Sequence, residues 1–486
     1  MKTTNQNECS SFGREVTVRL TSSTARVLHT HMRQDAHNEQ MAFGLAAQAR
    51  TAEGTLLIVN ELLLPDKADL CEQSAVGVCP TAGFQAFVYW RAYQSRKAIV
   101  EFHSHPGEGV PDFSGTDDHY ARQNGDYIRR KLPEPVTLVL IVGNNRFDAF
   151  NGMAYDRYLR EFRQADRFEI LGRPSELIVL GELAEHRFPD NDPAYHRQML
   201  IPGWNQTGLE GQRIAIAGMG GNGAPLFQTL ASIGAGRQGW ITVVDPDLIE
   251  DSNLPRVPYA FSEHRGTPKV TVAAQYAGRK TPGTPVYPYA CSITEKAAQD
   301  RLKAATVIFG CGDNDGMRKG ANELAVRYGI PYIDLGCDIQ TEEEAVVAGG
   351  QVRVVLPGET ACLVCCGGFD VSQAAIDQLD DVGRARRAAH GYVQNSNELA
   401  TPSVANLNAL TAQFAVSQFL ALVNAEQYAR WDYLHFDQFT GRTIPATTKQ
   451  RSECPVCGVE GCLGAGDPVI MRESGMLKFR KLLLGV

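Results

Sequence analysis

The stretch Arg213-Ile214-Ala215-Ile216-Ala217-Gly218-Met219-Gly220-Gly221-Asn222-Gly223 decides how the larger part of this chain folds. Its first five residues predict a buried strand, its glycines predict a turn, and the residues 226–233 predict a helix. Glycines let the backbone approach a phosphate at the N-terminus of that helix. Asp245 ends the next predicted strand, 240–244, where an acid can bind ribose hydroxyls. These features predict a parallel sheet with a nucleotide site, and a dehydrogenase would share them.

Polar residues after Asp245 distinguish between nucleotide-binding families. Asp245-Pro246-Asp247 is followed by Ser252-Asn253-Leu254-Pro255-Arg256, by Gly266-Thr267-Pro268-Lys269 and by Cys311-Gly312-Asp313-Asn314. In this order the residues resemble the ThiF/MoeB and ubiquitin-activating adenylyltransferases. Tyr195-His196-Arg197-Gln198 is similar to the entry motif of that family. The resemblance covers about residues 191–465 and implies a Rossmann-like, doubly wound α/β domain.

The resemblance implies that the C-terminal carboxylate of a ubiquitin-like protein attacks the α-phosphate of ATP. Negative charge then builds on phosphate oxygens, which Arg256 and Lys269 would neutralise. Asp313 would hold magnesium, and Arg197 would reach the ATP of a partner subunit, which implies a homodimer. The other nucleotide contacts would come from the glycine turn, two acids and an amide: Gly218, Gly220, Gly221, Asp245, Asp247 and Asn253.

Two pairs of cysteines, Cys362/Cys365 and Cys454/Cys457, have the spacing of zinc hooks. In a reducing compartment such pairs bind metal more often than they form disulfides. Four thiolates complete a tetrahedral zinc shell, so these pairs predict a structural zinc site.

The position of a thioester cysteine stays open. Some relatives use a cysteine in the segment after the first zinc hook, but residues 367–453 contain none. Cys366 and Cys462 are the candidates, and direct transfer of the acyl group to another protein's thiol is the alternative. Cys311 is predicted to be a core residue behind Asp313.

A second informative stretch, Glu101-Phe102-His103-Ser104-His105-Pro106, follows the short predicted strand 98–102. Together with Asp117, the two histidines can place three ligands around one metal, which leaves a fourth position open. With Ser114, this pattern resembles the JAMM (JAB/MPN) zinc metalloproteases, which have a cytidine-deaminase-like α/β fold. The resemblance implies that His103, His105 and Asp117 bind zinc and that Ser114 stabilises an oxyanion.

Two assignments in this half have alternatives. The loop before Ser114 is one residue longer than the family's usual form, so Asp118 is the neighbouring candidate for the third ligand. A general base must take a proton from the attacking water. Glu39, ahead of Phe43-Gly44-Leu45, is the nearest match to the family's glutamate, and Glu101 is the alternative.

Length and composition limit the remaining possibilities. A chain of 486 residues is longer than a chain that folds around one hydrophobic core, so more than one domain is expected. We expect a JAMM domain at 1–165, a linker at 166–190 and an adenylyltransferase domain at 191–486. The net charge of −8 gives no positive electrostatic potential that would attract nucleic acid, so nucleic acid is not expected as a partner. The chain has no apolar run of membrane-spanning length and no signal-peptide core, so a cytoplasmic protein without membrane partners is expected.

The predicted function combines the two halves. ATP-dependent adenylylation of a ubiquitin-like C-terminus would act beside zinc-dependent peptidase or isopeptidase cleavage at that terminus. The combination is similar to bacterial ubiquitin-like systems, some of them antiviral, and a conjugating enzyme would be a further partner. The alternatives are an activating enzyme for a sulfur-carrier protein in biosynthesis, and a scaffold in which one domain only binds.

Overall fold

The computed structural model describes residues 12–182, 192–341, 346–379, 402–424 and 428–469. Its strands form a nine-stranded sheet, an eight-stranded sheet and a two-stranded hairpin. We call residues 12–182, which carry the first sheet, the N-terminal unit, and the described residues from 192 onward, which carry the second, the C-terminal unit.

The N-terminal unit is built on a mixed sheet in the order β11-β10-β1-β3-β2-β6-β7-β8-β9. Its strands and the hairpin β4–β5 are β1 (Glu15–Thr21), β2 (Met41–Arg50), β3 (Gly54–Leu63), β4 (Leu70–Ser74), β5 (Gly77–Pro80), β6 (Ala98–Ser104), β7 (Leu138–Gly143), β8 (Phe150–Asp156), β9 (Glu161–Gln164), β10 (Arg167–Leu171) and β11 (Glu176–Val179). Helix α1 (Ser22–Met32) packs on one face, where Leu28 joins the core of Val18 and Leu57. Helices α2 (Ala82–Ser95) and α3 (Gly115–Lys131) cover part of the other face.

The C-terminal unit has a sheet in the order β14-β13-β12-β15-β16-β17-β18-β19. The first five strands in this order pair in parallel, and β17, β18 and β19 continue the sheet antiparallel. Their bounds are β12 (Arg213–Ala217), β13 (Trp240–Val244), β14 (Val286–Tyr289), β15 (Val307–Gly310), β16 (Tyr332–Thr341), β17 (Val346–Val355), β18 (Tyr433–Asp437) and β19 (Thr443–Ala446). Strand order therefore reverses beside β12, which opens a crevice at the carboxyl ends of the strands.

Two short helices of the C-terminal unit precede β12, and the others lie between its strands along the chain. They are α4 (His196–Met199), α5 (Gln206–Glu210), α6 (Gly223–Ser232), α7 (Lys269–Lys280), α8 (Lys296–Leu302), α9 (Asp315–Tyr328), α10 (Val371–Asp377) and α11 (Ala405–Val423). Phe309 and Phe419 meet edge to face in the core between β15 and α11. Within the described residues, no helix is long and apolar enough to cross a membrane.

The C-terminal unit packs on another part of this second face of the N-terminal sheet. Ala49, Leu56 and Ile58 share a buried cluster with residues of the C-terminal unit. Arg19, fully buried, donates to both the Glu169 carboxylate (2.8 Å) and the carbonyl oxygen of Ala305 (3.0 Å). Its other donors reach the carbonyl oxygens of Lys303 and Tyr328 in the C-terminal unit. One guanidinium therefore joins the two units.

Replacing Arg19 with methionine is expected to destabilise the chain by about 3–5 kcal/mol, because the buried Glu169 then loses its hydrogen-bonded partner and retains only the more distant Arg213 (3.9 Å) among the described cations. The shift of the urea unfolding midpoint measures this loss, with the exposed Lys67→Met as the control. The double variant Arg19→Met/Glu169→Gln should lose less, since no unpaired charge is left. A single variant that unfolds at the same urea concentration as its parent contradicts the proposed role of Arg19.

The sequence-based prediction of the fold class is confirmed, but the linker at 166–190 is wrong for part of its length. Strands β12 and β13 occupy the predicted ranges, whereas β10 and β11 lie inside the predicted linker. Glu169 places a charge at a buried position of β10, so the segment lacks an apolar pattern. Its partner Arg19 lies on the neighbouring strand β1, which is 150 residues away along the chain. The predicted linker residues 183–190 lie outside the described residues.

Candidate functional sites

A cavity of about 700 Å³ opens at the carboxyl ends of β12, β13 and β15. All nine residues that the sequence predicts as nucleotide contacts line it: Gly218, Gly220, Gly221, Asp245, Asp247, Asn253, Arg256, Lys269 and Asp313. The cavity lies where the strand order reverses, the usual place for a ligand in an open α/β sheet.

The glycine turn can adopt its path only without side chains at two positions. Gly218 has a φ of +93°, and a Cβ atom there would lie 2.8 Å from the backbone nitrogen of Gly312. A Cβ atom on Gly223 would lie 1.9 Å from the carbonyl oxygen of Gly218. The tight turn brings the N-terminus of α6 to the cavity, where backbone N–H groups favour phosphate.

Asp245 is held in place by the backbone beside it. The N–H group of Met219 donates to Oδ2 (2.5 Å), and that of Asp247 donates to Oδ1 (2.8 Å). Burial raises the pKa of Asp245, and the positive charge of Lys269 partly offsets this effect. The carboxylate is thus a fixed acceptor at the end of β13, as ribose binding requires.

Three cationic side chains line the cavity. Lys269 forms an ion pair with Asp247 (Nζ–Oδ2 2.7 Å), and the Nε atom of Arg256 is buried without a hydrogen-bond partner among the described residues. The third, Arg318, was not predicted. The feature of the sequence that could locate Arg318 is its position four residues after Asn314. Asn314 caps α9 by accepting a hydrogen bond from the N–H of Met317. The next turn of the helix then carries Arg318 to the cavity.

Other predicted residues lie outside this cavity. Arg197 is exposed on α4 and is not among the residues that line it. Cys366 donates to the carbonyl oxygen of Cys362 (3.4 Å), and burial raises its pKa, as it does that of Cys462. Neither thiol lines the cavity, so a thioester role for either stays a prediction.

Two other cysteines do line the cavity. Cys311, as expected, belongs to the core and is 6% exposed. Cys337 was not predicted, because no family pattern points to it. Its sulfur receives a hydrogen bond from Nδ2 of Asn408 (2.9 Å), and burial raises its pKa.

The two cysteine hooks come together in one cluster. The sulfur atoms of Cys362 and Cys454 lie 3.6 Å apart, and those of Cys365 and Cys457 lie 3.4 Å apart. Four thiolates about 2.3 Å from a tetrahedral zinc ion are about 3.8 Å from one another. The donor set and its spacing therefore fit zinc with no position left open.

The second candidate metal site lies at the end of β6. Asp117 approaches both histidines, with Oδ1 3.6 Å from Nε2 of His103 and Oδ2 3.3 Å from Nε2 of His105. Both ring nitrogens of His103 are buried and have no hydrogen-bond partner among the described residues. Ligand atoms about 2.0–2.1 Å from a tetrahedral zinc ion lie about 3.3–3.4 Å apart, so these three residues fit a zinc ion.

Ser114 and Asp118 have different surroundings at the start of α3. Ser114 caps the helix by accepting from the N–H of Asp117 (3.1 Å), and its own N–H donates to Oδ2 of Asp117 (2.7 Å). Ser114 thereby orients the ligand carboxylate. Asp118 instead pairs with Arg122 (2.9 Å) on the exposed side of α3, so the geometry favours Asp117 as the ligand.

Glu39 reaches the same site from the start of β2. Met41 pairs with His103 across β2 and β6, which places Glu39 beside the histidines, with Oε1 3.9 Å from Nε2 of His105. Burial raises the pKa of Glu39, while the two histidines partly offset this effect. Glu101 precedes His103 by two residues on β6, and burial raises its pKa as well. The contact with His105 favours Glu39 as the base.

Comparisons with known proteins cover both units. The model of the ThiF family matches residues 195–456, which is more than half of the chain. The model for prokaryotic homologs of the JAB domain matches residues 21–158.

Several curated proteins are similar to part of the chain. The adenylyltransferase and sulfurtransferase UBA4 of Yarrowia lipolytica is 33% identical over 54% of this chain and 61% of that protein. The corresponding protein of Aspergillus fumigatus is 34% identical over 33% of this chain and 32% of that protein. The sulfur carrier protein adenylyltransferase of Thermus thermophilus is 34% identical over 29% of this chain and 51% of that protein. The chain thus spans about a third to six-tenths of the length of these relatives.

Among solved structures, E. coli MccB with ATP aligns over 56% of this chain and 76% of that chain, with 18% identity and a TM-score of 0.42. The family assignment depends instead on the two sequence models and on the residues that line the two sites. The chain belongs to the ThiF family and carries a JAB-type domain ahead of its ThiF domain.

Proposed function

We propose that this chain adenylylates the C-terminus of a ubiquitin-like protein with ATP and cleaves peptide or isopeptide bonds at that terminus. The observation that carries the proposal is the single cavity that gathers all nine predicted nucleotide contacts. The cluster of His103, His105 and Asp117 on the same chain supports the second activity.

In the first reaction, a carboxylate oxygen of the protein tail attacks the α-phosphorus of ATP, and pyrophosphate leaves. Arg256 and Lys269 offset the charge that builds on the phosphate oxygens. Lys269 must exchange its contact with Asp247 for the nucleotide, so Asp247 keeps the ammonium group in place before ATP binds. Asp313 would hold magnesium, which supplies charge neutralisation when bound.

In the second reaction, Glu39 takes a proton from the attacking water and returns it to the leaving amine. His103, His105 and Asp117 would hold a zinc ion, which would supply Lewis acidity to that water. Ser114 keeps Asp117 oriented through its two hydrogen bonds, and its hydroxyl proton remains available to donate to an oxyanion. Glu39 thus provides the base, and the two histidines with Asp117 provide the zinc ligands.

The test uses the small protein that co-purifies with the full-length chain in the presence of ATP, after identification by mass spectrometry. We expect ATP–pyrophosphate exchange that requires this protein, and cleavage of the same protein when it carries a C-terminal extension. The control is a form without its last two residues, which should support no exchange. If the intact protein supports no exchange, the activating role is wrong, and the scaffold alternative is favoured.

The names of the relatives favour a second candidate, activation of a sulfur-carrier protein. Both candidates share the adenylylation step and differ in the acceptor. After reaction with ATP and sulfide, a thiocarboxylate on the partner's C-terminus favours the sulfur-carrier function. An adduct with a conjugating enzyme or a target amine favours the conjugation function.

We also propose a homodimer in which Arg197 serves the partner's cavity. Arg197 is exposed and lies outside the cavity of its own chain, as that role requires. Sedimentation at micromolar concentration tests it, and a monomer that supports full exchange contradicts it.

Zinc content should report the two proposed metal sites separately. We expect two zinc ions per chain in the parent, one in Asp117→Asn and one in Cys457→Ser, because each variant removes one ligand set. Mass spectrometric metal analysis after gel filtration measures this. Asp118→Asn, which changes the neighbouring carboxylate, should keep both ions. An unchanged zinc content in both ligand variants contradicts the assignment.

A further inference from the structure

The hairpin β4–β5 carries two cysteines, Cys71 and Cys79, on neighbouring strands. A register shift lies between Leu70 and Glu72, so Cys71 bulges toward the opposite strand. Its sulfur lies 3.4 Å from the carbonyl oxygen of Cys79. Burial and a hydrogen bond with Cys71 raise the pKa of Cys79 to about 11. Both sulfur atoms also lie near the carbonyl oxygen of Pro80, that of Cys71 at 3.4 Å and that of Cys79 at 3.6 Å, so the two thiols are neighbours, and Cys71 is exposed to solvent.

The same hairpin holds the backbone of Glu39 from both directions. The N–H group of Glu39 donates to the carbonyl oxygen of Ser74 (2.8 Å). The side-chain amide of Gln73 donates to the carbonyl oxygen of Glu39 (3.2 Å). Both contacts lie near the tip of the hairpin, and Glu39 lies 3.9 Å from His105.

The hairpin forms a two-stranded sheet of its own. A two-stranded hairpin is marginally stable in water, so it opens more readily than the nine-stranded sheet behind it. Any opening breaks the contacts of Ser74 and Gln73 with Glu39. A covalent link between the strands would suppress this opening.

We propose that Cys71 and Cys79 form a reversible disulfide that closes the hairpin and restrains Glu39. The role of Glu39 as a general base rests on the proposed peptidase function. The disulfide and its effect on the backbone of Glu39 do not depend on that function. Transient disulfides of this kind occur in reducing compartments as redox sensors.

The oxidant that forms this disulfide is a small-molecule disulfide, glutathione disulfide. The Cys71 thiolate attacks one of its sulfurs, the S–S bond breaks, and one glutathione thiolate leaves. The Cys79 thiol gives its proton to solvent and attacks the Cys71 sulfur of the mixed disulfide, which releases the second glutathione. Two protein thiols are oxidised, and one glutathione disulfide is reduced to two thiols.

The experiment incubates the zinc-loaded full-length chain in glutathione redox buffers and maps disulfides by differential alkylation and mass spectrometry. We expect a Cys71–Cys79 link that excess reduced glutathione removes. Cys291, which is half-buried like Cys79, is the control and should stay open to alkylation in the same buffers.

Hydrogen exchange then tests the effect on the backbone. We expect exchange at residues 70–80 and at the amide of Glu39 to slow about tenfold on oxidation. The variant Cys71→Ser/Cys79→Ser should show no change between the two buffers. If Cys71 and Cys79 both remain open to alkylation in the fully oxidising buffer, the proposed disulfide is wrong. If the disulfide forms but hydrogen exchange at the amide of Glu39 does not change, the proposed restraint is wrong.

Discussion

Replacing Arg256 with alanine is expected to lower ATP–pyrophosphate exchange about 10²–10³-fold, the usual effect of losing one preorganised charge at a reacting phosphate or oxyanion. Arg256 lines the cavity, and its Nε atom is buried without a hydrogen-bond partner among the described residues. The guanidinium is therefore available to the nucleotide, and few contacts of the fold are lost with it.

Arg265→Ala is the matched control for this prediction. Arg265 lies on the same connection between β13 and α7, but it is half exposed and pairs with Asp251 outside the cavity. Its exchange rate should stay within about threefold of the parent, since an exposed pair contributes little. Equal rates in the two variants would contradict the role of Arg256.

Replacing His105 with alanine is expected to abolish cleavage of the C-terminally extended partner and to leave ATP–pyrophosphate exchange unchanged. The imidazole lies 3.3 Å from Asp117 and 3.9 Å from Glu39, so its loss removes a zinc ligand beside the base. Its side chain is 18% exposed, and its replacement removes less packing than that of the buried His103.

His119→Ala is the control for the metal site. His119 lies on the first turns of α3, close to Asp117 in the chain, but it is exposed and contacts Gln123 (2.9 Å). We expect its cleavage rate to match the parent's. Cleavage by the His105 variant at the parent's rate would refute the zinc assignment.

Much of the C-terminal unit could be predicted because its signals are local. The apolar run at 213–217 and the glycines after it occupy neighbouring positions, and backbone geometry dictates their path. The helix α3 lacks such a signal, because only Ala121, Gly125 and Ile128 of its seventeen residues are buried. The sequence therefore predicts its start, where Ser114 and Asp117 form a capping box, only as part of a metal motif.

Residues whose role depends on distant partners could not be predicted. Arg318 reaches the cavity only because α9 begins at Asp315 and packs beside β16, where Asp334 pairs with it (3.5 Å). Cys337 comes to the cavity through the pairing of β16 with β17. The cap at Asn314 is a local signal for the position of Arg318, but a cap does not by itself distinguish a cavity wall from an ordinary helix, and Cys337 carries no such signal.

The sequence by itself determined the order of the two domains and the candidate residues of each site: nine predicted nucleotide contacts and two predicted zinc ligand sets. Those features are patterns of residue type and spacing, and they can be read without knowing how distant segments pack. Only the tertiary structure favoured Asp117 over Asp118 and Glu39 over Glu101, and only it showed that Arg19 connects the two units through Glu169 and three carbonyl oxygens. The physical reason is that ligand sets and buried ion pairs depend on distances of a few ångströms between segments far apart in the chain, and strand register and helix packing set those distances.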